Sequence, residues 1–471
     1  MDTAARDAIL SMALQFSKAT ASIGSFPSCD LLNILMQAYF VREASRKDPW
    51  IHTATFRPDQ CRTELLVALV ASGSMLFSAA KVWKMGLALQ EVVKLAVRSA
   101  VDNDNRVTRD LQLSQAFLLW VEIALWSGHR RKMEIGEGFA SSIITMLRRS
   151  GTFRQGYYAP LPSLYGTQND DERAQAWHKW VRQQSFRRLV LHMFMTEMRA
   201  SIAFSRSPIM SVAELSFTLP AGRNLWDAPN AQEWKSRYRA KQTKDSSLTI
   251  VDGMYNASQL ASELDNIDMG LASLAVLYGF WCPVWAYIDA RAASHLANGT
   301  PGSSSFSRAS PWEGATRRHE LCESIHTASL KLRSMNALCP EGQLVSEFLM
   351  MSLHVYFEDM QRFAGRYGVD EFKQALPRLQ AWAQSHDQYA AAWHAGQVLR
   401  AARSSPPTHL RGFPAVAVYQ ACLTLFVFAV FAKYHAPLVQ EQPLTTMNTD
   451  NNTSWPAILL DGEETMDTIL S

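Results

Sequence analysis

The cysteines of this chain are too few and too widely separated for a zinc-binding DNA-recognition module. The nearest pair, Cys322 and Cys339, lies seventeen positions apart. A zinc finger needs two cysteines only two to four residues apart, followed by two histidines, and a binuclear cluster needs six closely spaced thiolates. The remaining cysteines are scattered, mostly in apolar surroundings, which indicates free thiols in a reducing compartment. The sequence therefore predicts no cofactor and no zinc module within this chain.

The chain also lacks an excess of charge of either sign. Its 46 Lys and Arg residues against 43 Asp and Glu residues give a formal net charge of +3, which offers no electrostatic basis for wrapping nucleic acid. Residues 1–24 include two aspartates and no unbroken apolar run, unlike a secretory signal peptide. Neither a phosphate-binding loop nor a nucleophile elbow occurs. These absences favour an intracellular protein.

Apolar residues are abundant and are arranged at helical spacing. They make up 48% of the 471 residues, while only 19% are charged, so a large core is available. Residues 64–77 and 111–126 are apolar on nearly every side, as in buried helices. Further along, apolar residues recur at i, i+4, i+7 and i+11 at Leu344, Phe348, Met351 and Val355. Because no series of alternating β-branched runs appears, the sequence predicts an all-α fold.

Two breaks and an acidic end divide the chain. Residues 297–311 are rich in Gly, Ser and Pro, and residues 403–414 contain adjacent prolines that cannot continue a helix. No Lys or Arg follows Lys433. We therefore expect an N-terminal segment at 1–28, one large domain at 29–433 with loop breaks near 297–311 and 403–414, and a poorly ordered acidic tail at 434–471.

Two apolar runs leave a membrane-associated helical protein as an alternative. Residues 271–288 contain Pro283, which would kink a spanning helix, and residues 415–432 are flanked by Arg411 and Lys433. Eighteen helical residues reach roughly 27 Å, slightly less than a hydrocarbon layer of about 30 Å. In a chain with fourteen Trp residues, fully buried core helices are the favoured explanation of both runs.

Three blocks follow one another in an order typical of a known family. The first, 31–56, ends in an extended Pro-aromatic-x-His-x-x-Thr-Phe segment, and the second covers 116–151. The third, 177–234, contains Trp180, Arg187, Arg188, Ser205, Pro208, Glu214, Leu219, Pro220, Leu225 and Trp226. In this order, over about residues 29–433, the chain resembles the fungal-specific transcription factor domain, or middle homology region. Its C-terminal segment, 394–430, resembles the version found with zinc-finger fungal regulators.

The resemblance implies a regulatory function rather than an enzyme. Such a domain is nuclear and tunes a transcription factor, often one that governs clustered metabolic genes. The implied partners are the transcription machinery or another DNA-binding regulator, a small-molecule effector, and a second copy of the chain. We take Trp180, Arg187, Arg188 and Trp226 as a structural signature, with no catalytic, cofactor-binding or metal-binding residues. For the arginine pair, salt bridges within the bundle are favoured over ligand contact.

The chain departs from the family pattern in lacking the DNA-binding module, so DNA is an expected partner only if such a module is missing from the sequence. The chain also ends at Ser471, soon after the Leu-Asp-Gly at 460–462, whereas related sequences continue past a similar Leu-Asp-Gly. A truncated gene, a split gene and a stand-alone cofactor are all consistent with this. The acidic and hydrophobic tail fits a disordered activation segment or an interrupted family helix equally well.

Two polar sets at helical spacing raise the alternative of a helical metalloenzyme. His319, Glu323 and His326 could present three ligands on one face beside Cys322, although Glu323 stands where a zincin motif requires a histidine. The second set, Glu347, His354 and Glu358, could support acid–base chemistry if buried. A solvated helix face explains both sets without chemistry, and that interpretation is favoured.

Shorter motifs have structural explanations. The acidic stretches 102–104 and 169–172 lack the metal motif of a terpene cyclase and are predicted to be loops or helix caps. Residues 136–138 resemble part of a dinucleotide fingerprint, but no strand precedes them, and close helix packing is favoured. The basic runs 129–132 and 235–244 could serve nuclear import, although solvated helix ends or loops are favoured.

Overall fold

The computed structural model describes residues 1–16, 26–159, 169–240, 247–298 and 311–435. Throughout these ranges the regular structure is helical and no β-strand forms, apart from one isolated antiparallel bridge between Ala221 and Ile267. The predicted all-α fold is confirmed. The chain divides into two compact units, Met1–Gly279 and Phe280–Ser471.

Unit 1 contains twelve α-helices within the described residues. They are α1 (Thr3–Phe16), α2 (Cys29–Ser45), α3 (Thr63–Ser74), α4 (Ala80–Asn103), α5 (Leu111–Leu125), α6 (Arg130–Ser150), α7 (Asp170–Phe204), α8 (Arg223–Trp226), α9 (Ala231–Ala240), α10 (Ile250–Tyr255), α11 (Ala257–Ala261) and α12 (Met269–Gly279). The segment between α2 and α3 is mostly irregular, with a short 3₁₀ turn at Pro58–Gln60.

Helices α3 and α5 form the centre of unit 1 because their sequences offer no polar face. Seven consecutive residues of α3, at 65–71, are at most 2% exposed, and most of α5 is buried as well. Helix α3 also comes unusually close to α2 at Gly73. A Cβ atom there would lie 1.8 Å from the carbonyl oxygen of Leu35. Only a glycine permits this approach without moving one of the two backbones.

Helix α7 is 35 residues long and carries most of the polar side chains of the site described below. Asn169 caps its start by accepting a hydrogen bond from the backbone N–H of Asp171, which confirms the prediction of a helix cap for 169–172. Asp104 similarly accepts from the N–H of Arg106. The middle of α7 is fully buried, with Leu189, Val190, Leu191 and Phe194 each 0% exposed.

Unit 2 contains seven α-helices within the described residues. They are α13 (Trp281–Asn298), α14 (Pro311–Ser334), α15 (Pro340–His354), α16 (Phe357–Phe363), α17 (Val369–Trp382), α18 (Asp387–Arg403) and α19 (Phe413–His435). Helix α18 packs against α15 and α19. Many of its buried residues are alanines, which allow neighbouring helices to approach closely. The apolar set predicted at 344–355 is buried, although Val355 lies just beyond the end of α15.

The predicted break at 403–414 is present, since α18 ends at Arg403 and α19 begins at Phe413. Most of the break near 297–311 lies outside the described residues, as does the acidic tail beyond residue 435. The boundaries predicted for the N-terminal segment, the large domain and the tail stay predictions.

Two helical stretches are long and apolar enough to span a membrane by length and composition. They are Met269–Ser294, 67% buried, and Phe413–Tyr434, 39% buried. The first is interrupted at Phe280, three residues before Pro283, so that the proline falls within the first turn of α13, where it costs no helical hydrogen bond. Core helices pass the same test, so these stretches alone decide nothing about membrane association.

Candidate functional site

The extended segment between α2 and α3 is held against α7 by buried charges. This segment contains the Pro-aromatic-x-His motif of the first sequence block, and α7 contains the paired arginines of the third. Two centres of charge join them, one at Arg188 and one at Asp48. Four residues at or next to these two centres belong to the sequence motifs. They are Trp50, His52, Arg188 and Trp226.

Arg188 is fully buried, at 0% exposed, and is surrounded by partners. Its guanidinium forms an ion pair with Asp268 at 2.8 Å and donates hydrogen bonds to the carbonyl oxygens of Pro49 and Ala221. It also lies 4.3 Å from the centre of the Trp226 ring, a cation–π contact. Arg188 therefore makes the intramolecular salt bridge that the sequence analysis favours over ligand contact.

The other signature residues lie at different places in unit 1. Arg187 contacts a different part of unit 1, where its guanidinium is 4.6 Å from the ring centre of Tyr158. Trp180 is 3% exposed and packs on Trp234 in an aromatic cluster with Trp177. The four residues therefore do not form one site. Arg188 and Trp226 touch each other, whereas Trp180 and Arg187 stabilise separate contacts of α7.

Asp48 is the centre of the second group of charges and is 0% exposed. Arg46 contacts it through two hydrogen bonds, of 2.8 and 2.7 Å. Arg199 of α7 lies 3.5 Å and His192 lies 3.6 Å from its Oδ2 atom. Burial alone would raise the pKa of Asp48, but Arg46, His192 and Arg199 outweigh it and hold this pKa well below its usual range. Asp48 is therefore ionised.

His192 joins Asp48 to Glu122 of α5. Its Nε2 atom lies 2.8 Å from a Glu122 carboxylate oxygen, which also accepts a hydrogen bond from Thr196. The imidazole is stacked on Trp50, with ring centres 4.6 Å apart. Burial acts to lower the pKa of His192, but Glu122 and Asp48 raise it to about 9. The ring is therefore a buried imidazolium held between two carboxylates.

Arg199 extends this group of charges to α12. Its Nε atom donates a hydrogen bond of 3.0 Å to the Tyr278 hydroxyl, and its guanidinium lies 4.9 Å from the centre of the same ring. Together these contacts link α5, α7, α12 and the extended segment through charge-assisted bonds, which are stronger than neutral ones. The arrangement is suited to fixing one geometry of unit 1, and no reacting group is exposed in it.

His52 lies beside the Arg188 centre and is fixed through both ring nitrogens. Nδ1 is 2.8 Å from the Thr55 hydroxyl and Nε2 is 2.8 Å from the Trp226 carbonyl oxygen. Burial is the main reason that the pKa of His52 is lowered to about 4. The imidazole is therefore neutral, and it lies between the buried charges and a neighbouring cavity.

A cavity of about 350 Å³ lies on the other side of His52. It is formed by the extended segment, the start of α3, the beginning of α5 and one face of α7. Its lining is largely polar and consists of Ile51, His52, Thr55, Phe56, Arg57, Gln60, Leu65, Asp110, Leu111, Gln112, Gln115, His178, Val181, Arg182 and Ser185. Of the signature residues, none lines this cavity. The Pro-aromatic-x-His-x-x-Thr-Phe motif of the first block does reach the cavity, through His52, Thr55 and Phe56.

In unit 2 the structure corrects the assignment of Glu347, His354 and Glu358 to one solvated helix face. Helix α15 ends at His354, and Glu358 belongs to α16. The intervening residues Val355 and Tyr356 are extended, as expected of a β-branched and an aromatic residue. Glu347 and His354 are also partly buried and paired, Glu347 with His394 at 2.8 Å and His354 with Asp387 at 3.1 Å.

His354 also lies near Cys322, which gives a Cys–His–Asp arrangement that sequence reasoning missed. The Cys322 sulfur is 3.9 Å from His354 Nε2, and Asp387 is additionally bound by Arg318 at 2.7 Å. Burial raises the pKa of Cys322 to about 11 and lowers that of His354. The thiol is therefore protonated at neutral pH, which does not fit an activated nucleophile.

The other polar set lies elsewhere on α14. His319 and Glu323 are exposed, with side chains 75% and 70% accessible, and His326 is exposed as well. Across the described ranges, no group of three or more His, Cys, Asp or Glu side chains is placed to hold a metal ion. The six cysteines are free and stand at least seventeen positions apart in the sequence, so their spacing does not match the zinc module that the resemblance implies.

Two of the shorter motifs have visible structural roles. Gly136 of α6 faces α5, where a Cβ atom would lie 2.7 Å from the Cβ of Ala124, so this glycine serves close helix packing. Lys132, in the basic run at the start of α6, is paired with Glu91 and Gln90 of α4. Part of the basic run at 235–244 lies outside the described residues.

The family of this chain follows from its sequence matches. Residues 36–274, slightly more than half of the 471 residues, match the Fungal specific transcription factor domain. The chain belongs to this family. The matched range covers the extended segment, α3 to α11 and much of α2 and α12, and thus both groups of buried charges. No solved structure matches the chain.

Several curated relatives are named as transcription factors. "Transcription factor 1" of Elsinoe fawcettii is 23% identical over 392 residues, which cover 80% of this chain and 40% of that protein. The "Nicotinate catabolism cluster-specific transcription factor" of Emericella nidulans is 24% identical over 221 residues, 46% of this chain and 24% of that protein. "Zinc finger protein zas1" of Schizosaccharomyces pombe is 20% identical over 189 residues, 40% of this chain and 21% of that protein.

The chain spans less than half the length of these relatives. Their names nevertheless agree with the family match, and both favour a transcription factor over a membrane-associated protein or a helical metalloenzyme.

Proposed function

We propose that this chain regulates transcription in the nucleus, with its helical core acting as the regulatory domain. The observation that carries the proposal is the match of residues 36–274 to the Fungal specific transcription factor domain. The motifs that identify the family are the residues that hold unit 1 together, since Trp50, His52, Arg188 and Trp226 all lie at its two groups of buried charges. The residues that carry the resemblance therefore lie within the packed core of unit 1.

DNA contact, in this proposal, comes from a zinc module outside the described residues or from a DNA-binding partner. The cysteines within this chain do not fit such a module. One relative is named as a zinc finger protein and is about five times as long as the region it shares with this chain. The partners we expect are accordingly another DNA-binding regulator and the transcription machinery, and a second copy of the chain is consistent with the proposal.

The chain, in this proposal, acts by binding rather than by catalysis and needs no resident metal or cofactor. The best-arranged group of nucleophile type, Cys322 with His354 and Asp387, has a thiol whose pKa is raised to about 11. The charges around Asp48 and His192 are engaged with one another inside the core. These features support a structural use of the titratable groups.

The target genes we expect are a metabolic gene cluster. One relative is named as a cluster-specific transcription factor of nicotinate catabolism, and its name supports this class of target without identifying the pathway. A metabolite of such a pathway would act as effector by binding one arrangement of the core better than another. The change in regulation can be no larger than that difference in affinity.

The proposal can be tested by tethering the chain to a promoter. The full chain is fused to a heterologous DNA-binding domain and expressed with a reporter gene that carries the matching sites. We expect reporter output to change several-fold relative to the DNA-binding domain alone, and a fluorescent fusion to accumulate in the nucleus. A folded chain that leaves the reporter unchanged and stays at membranes would contradict the proposal and support the membrane alternative.

A further inference from the structure

The cavity beside His52 contains a polar side chain that the protein itself leaves unsatisfied. Gln115 of α5 lines the cavity and is only 4% exposed, yet its amide has no hydrogen-bond partner among the residues that the structure describes. The amide is not enclosed by protein atoms, so it is open to the cavity. Gln115 is therefore suited to bonding a molecule that enters the cavity.

Ser185 of α7 shows the same behaviour on the opposite wall. It is 2% exposed and lines the cavity, and its hydroxyl is unpaired within the described part of the chain. By contrast, Gln184, the residue before it, is 4% exposed and accepts a hydrogen bond of 3.0 Å from the backbone N–H of Ala221. The two adjacent residues therefore differ in their contacts: Gln184 is hydrogen-bonded within the protein, whereas Ser185 faces the cavity.

The charges around the cavity favour an anion. Arg57 and Arg182 line it. Arg57 donates to the carbonyl oxygens of Ala54 and Phe56, and Arg182 lies 5.2 Å from the ring centre of Phe186. Neither guanidinium has a carboxylate partner among the residues that the structure describes, and both are exposed. Because arginine forks match carboxylates geometrically, they are suited to binding one.

The acidic residue of the cavity is already engaged. Asp110 accepts a hydrogen bond of 2.8 Å from the N–H of Leu113 as the cap of α5, and it lies 3.9 Å from Arg62. His52 and Thr55 are likewise bonded to each other. Of the other lining residues, Arg57 and Arg182 are exposed, whereas Gln115 and Ser185 are buried. The arginines therefore lie at the rim, and hydrogen-bonding groups lie inside.

We propose that this cavity binds a small organic anion, a carboxylate that carries a second hydrogen-bonding group. Arg57 and Arg182 contact the carboxylate, and Gln115 and Ser185 bond the polar group. A cavity of about 350 Å³ suits a metabolite of low mass, at the small end of ligand sites of roughly 300 to 1,000 Å³. The binding of this anion does not depend on the proposed function. Only its role as a regulatory effector rests on the proposed function.

Calorimetric titration of the purified full chain tests the site. The probes are acetate, succinate, malate and citrate, with uncharged succinamide as the control ligand. Each is used at up to about 10 mM, which detects dissociation constants of about 1 mM or tighter. We expect at least one di- or tricarboxylate to bind at one site per chain, with succinamide silent. Absence of saturable binding by all four acids, or equal binding of succinamide, would overturn the proposal.

Two buried glutamines provide matched variants. Gln115→Met removes the unpaired amide, so we expect binding to weaken at least tenfold while the melting temperature stays the same or rises. Gln184→Met removes a paired amide, so we expect a lower melting temperature with the wild-type affinity. Arg182→Gln is also expected to weaken binding at least tenfold. Wild-type affinity in both Gln115→Met and Arg182→Gln would overturn the assignment of the site.

The binding assay and the reporter assay fail independently. If a carboxylate binds at this site but the tethered chain leaves the reporter unchanged, the proposed function is wrong and the site stands. If the reporter responds but no carboxylate binds, the site is wrong and the proposed function stands.

Discussion

The guanidinium of Arg188 lies 2.8 Å from the Asp268 carboxylate, and both side chains are excluded from solvent, at 0% and 4% exposed. Arg188 comes from the paired arginines of α7, and Asp268 directly precedes α12. The pair therefore fastens two distant parts of unit 1. Removing one partner of a buried ion pair strongly destabilises the fold, because the other charge is then left buried and uncompensated.

Substitution of Arg188 is expected to destabilise unit 1 severely. Arg188→Met leaves Asp268 buried and unpaired, and we expect a loss of about 3 to 5 kcal/mol in the free energy of unfolding, measured by denaturant titration with tryptophan fluorescence. The control is Arg130→Met, which breaks an exposed pair with Glu134 on α6 and should cost less than about 0.5 kcal/mol. Equal effects of the two variants would contradict the role of Arg188.

The imidazolium of His192 is expected to give the stability of unit 1 a particular pH dependence. The pKa of His192 is about 9 in the folded protein and about 6.5 in an unfolded chain. A raised pKa means that its stabilising contribution is complete below pH 6.5 and is lost as the pH rises through 9. The loss is up to about 3 kcal/mol for a shift of this size.

Glu122 acts in the opposite direction at acid pH. Its pKa is lowered to about 2, so its contribution is present above about pH 4.3, the unfolded value, and is lost as the pH falls towards 2. Denaturant titrations from about pH 4.5 to 9.5 should show stability rising up to about pH 6.5, because His52, whose folded pKa is about 4, is protonated more readily in the unfolded chain. Above about pH 6.5 stability should decline through His192. His192→Gln should abolish that decline, whereas the exposed His319→Gln should keep it. A decline that persists in His192→Gln would show that another group causes it.

Two helical glycines should respond oppositely to alanine. Gly73→Ala places a Cβ atom 1.8 Å from the Leu35 carbonyl oxygen, so α2 and α3 must separate, and we expect loss of most folded protein in a thermal melt. Gly138→Ala on α6 meets nothing within 4 Å and should stabilise by about 0.5 to 1 kcal/mol through helix propensity. The contact between α2 and α3 would be contradicted if Gly73→Ala melted at or above the wild-type temperature.

The cysteines should differ in reactivity towards an alkylating reagent. Burial raises the pKa of Cys61 to about 12 and that of Cys322 to about 11, so both thiols are protonated at pH 7.5 and react slowly. Cys422 on α19 is exposed and should be modified first in a timed iodoacetamide reaction followed by mass spectrometry. Faster modification of Cys322 than of Cys422 would instead indicate a thiolate formed with His354.

Local sequence patterns predicted the elements but not the buried charges. The apolar runs of α3 and α5 leave no face for solvent, and the caps Asp104 and Asn169 follow from short-range hydrogen bonding. Each of these features depends on neighbouring residues. The family motifs likewise identified Arg188 and Trp226, but not what they contact.

The contacts that sequence reasoning missed join residues far apart in the chain. His192 and Glu122 are separated by 70 positions, and Arg199 and Asp48 by 151. A single histidine or aspartate carries no local sign of such a partner. Gln115 illustrates the same limit, since it lies in an apolar helix sequence and only the fold shows that its amide faces a cavity. The helical spacing of apolar residues includes Val355, but α15 ends at His354 and the backbone of Val355 is extended. The apolar spacing alone does not show where the helix ends.

Transcript sequencing of the native host, with and without this gene, tests the central claim most directly. The account predicts that disruption changes a restricted set of genes coordinately, and that the wild-type gene restores them while a gene encoding Arg188→Met does not. Unchanged transcript levels in the disrupted strain, under conditions in which the protein is present in the parent, would contradict a role in transcription.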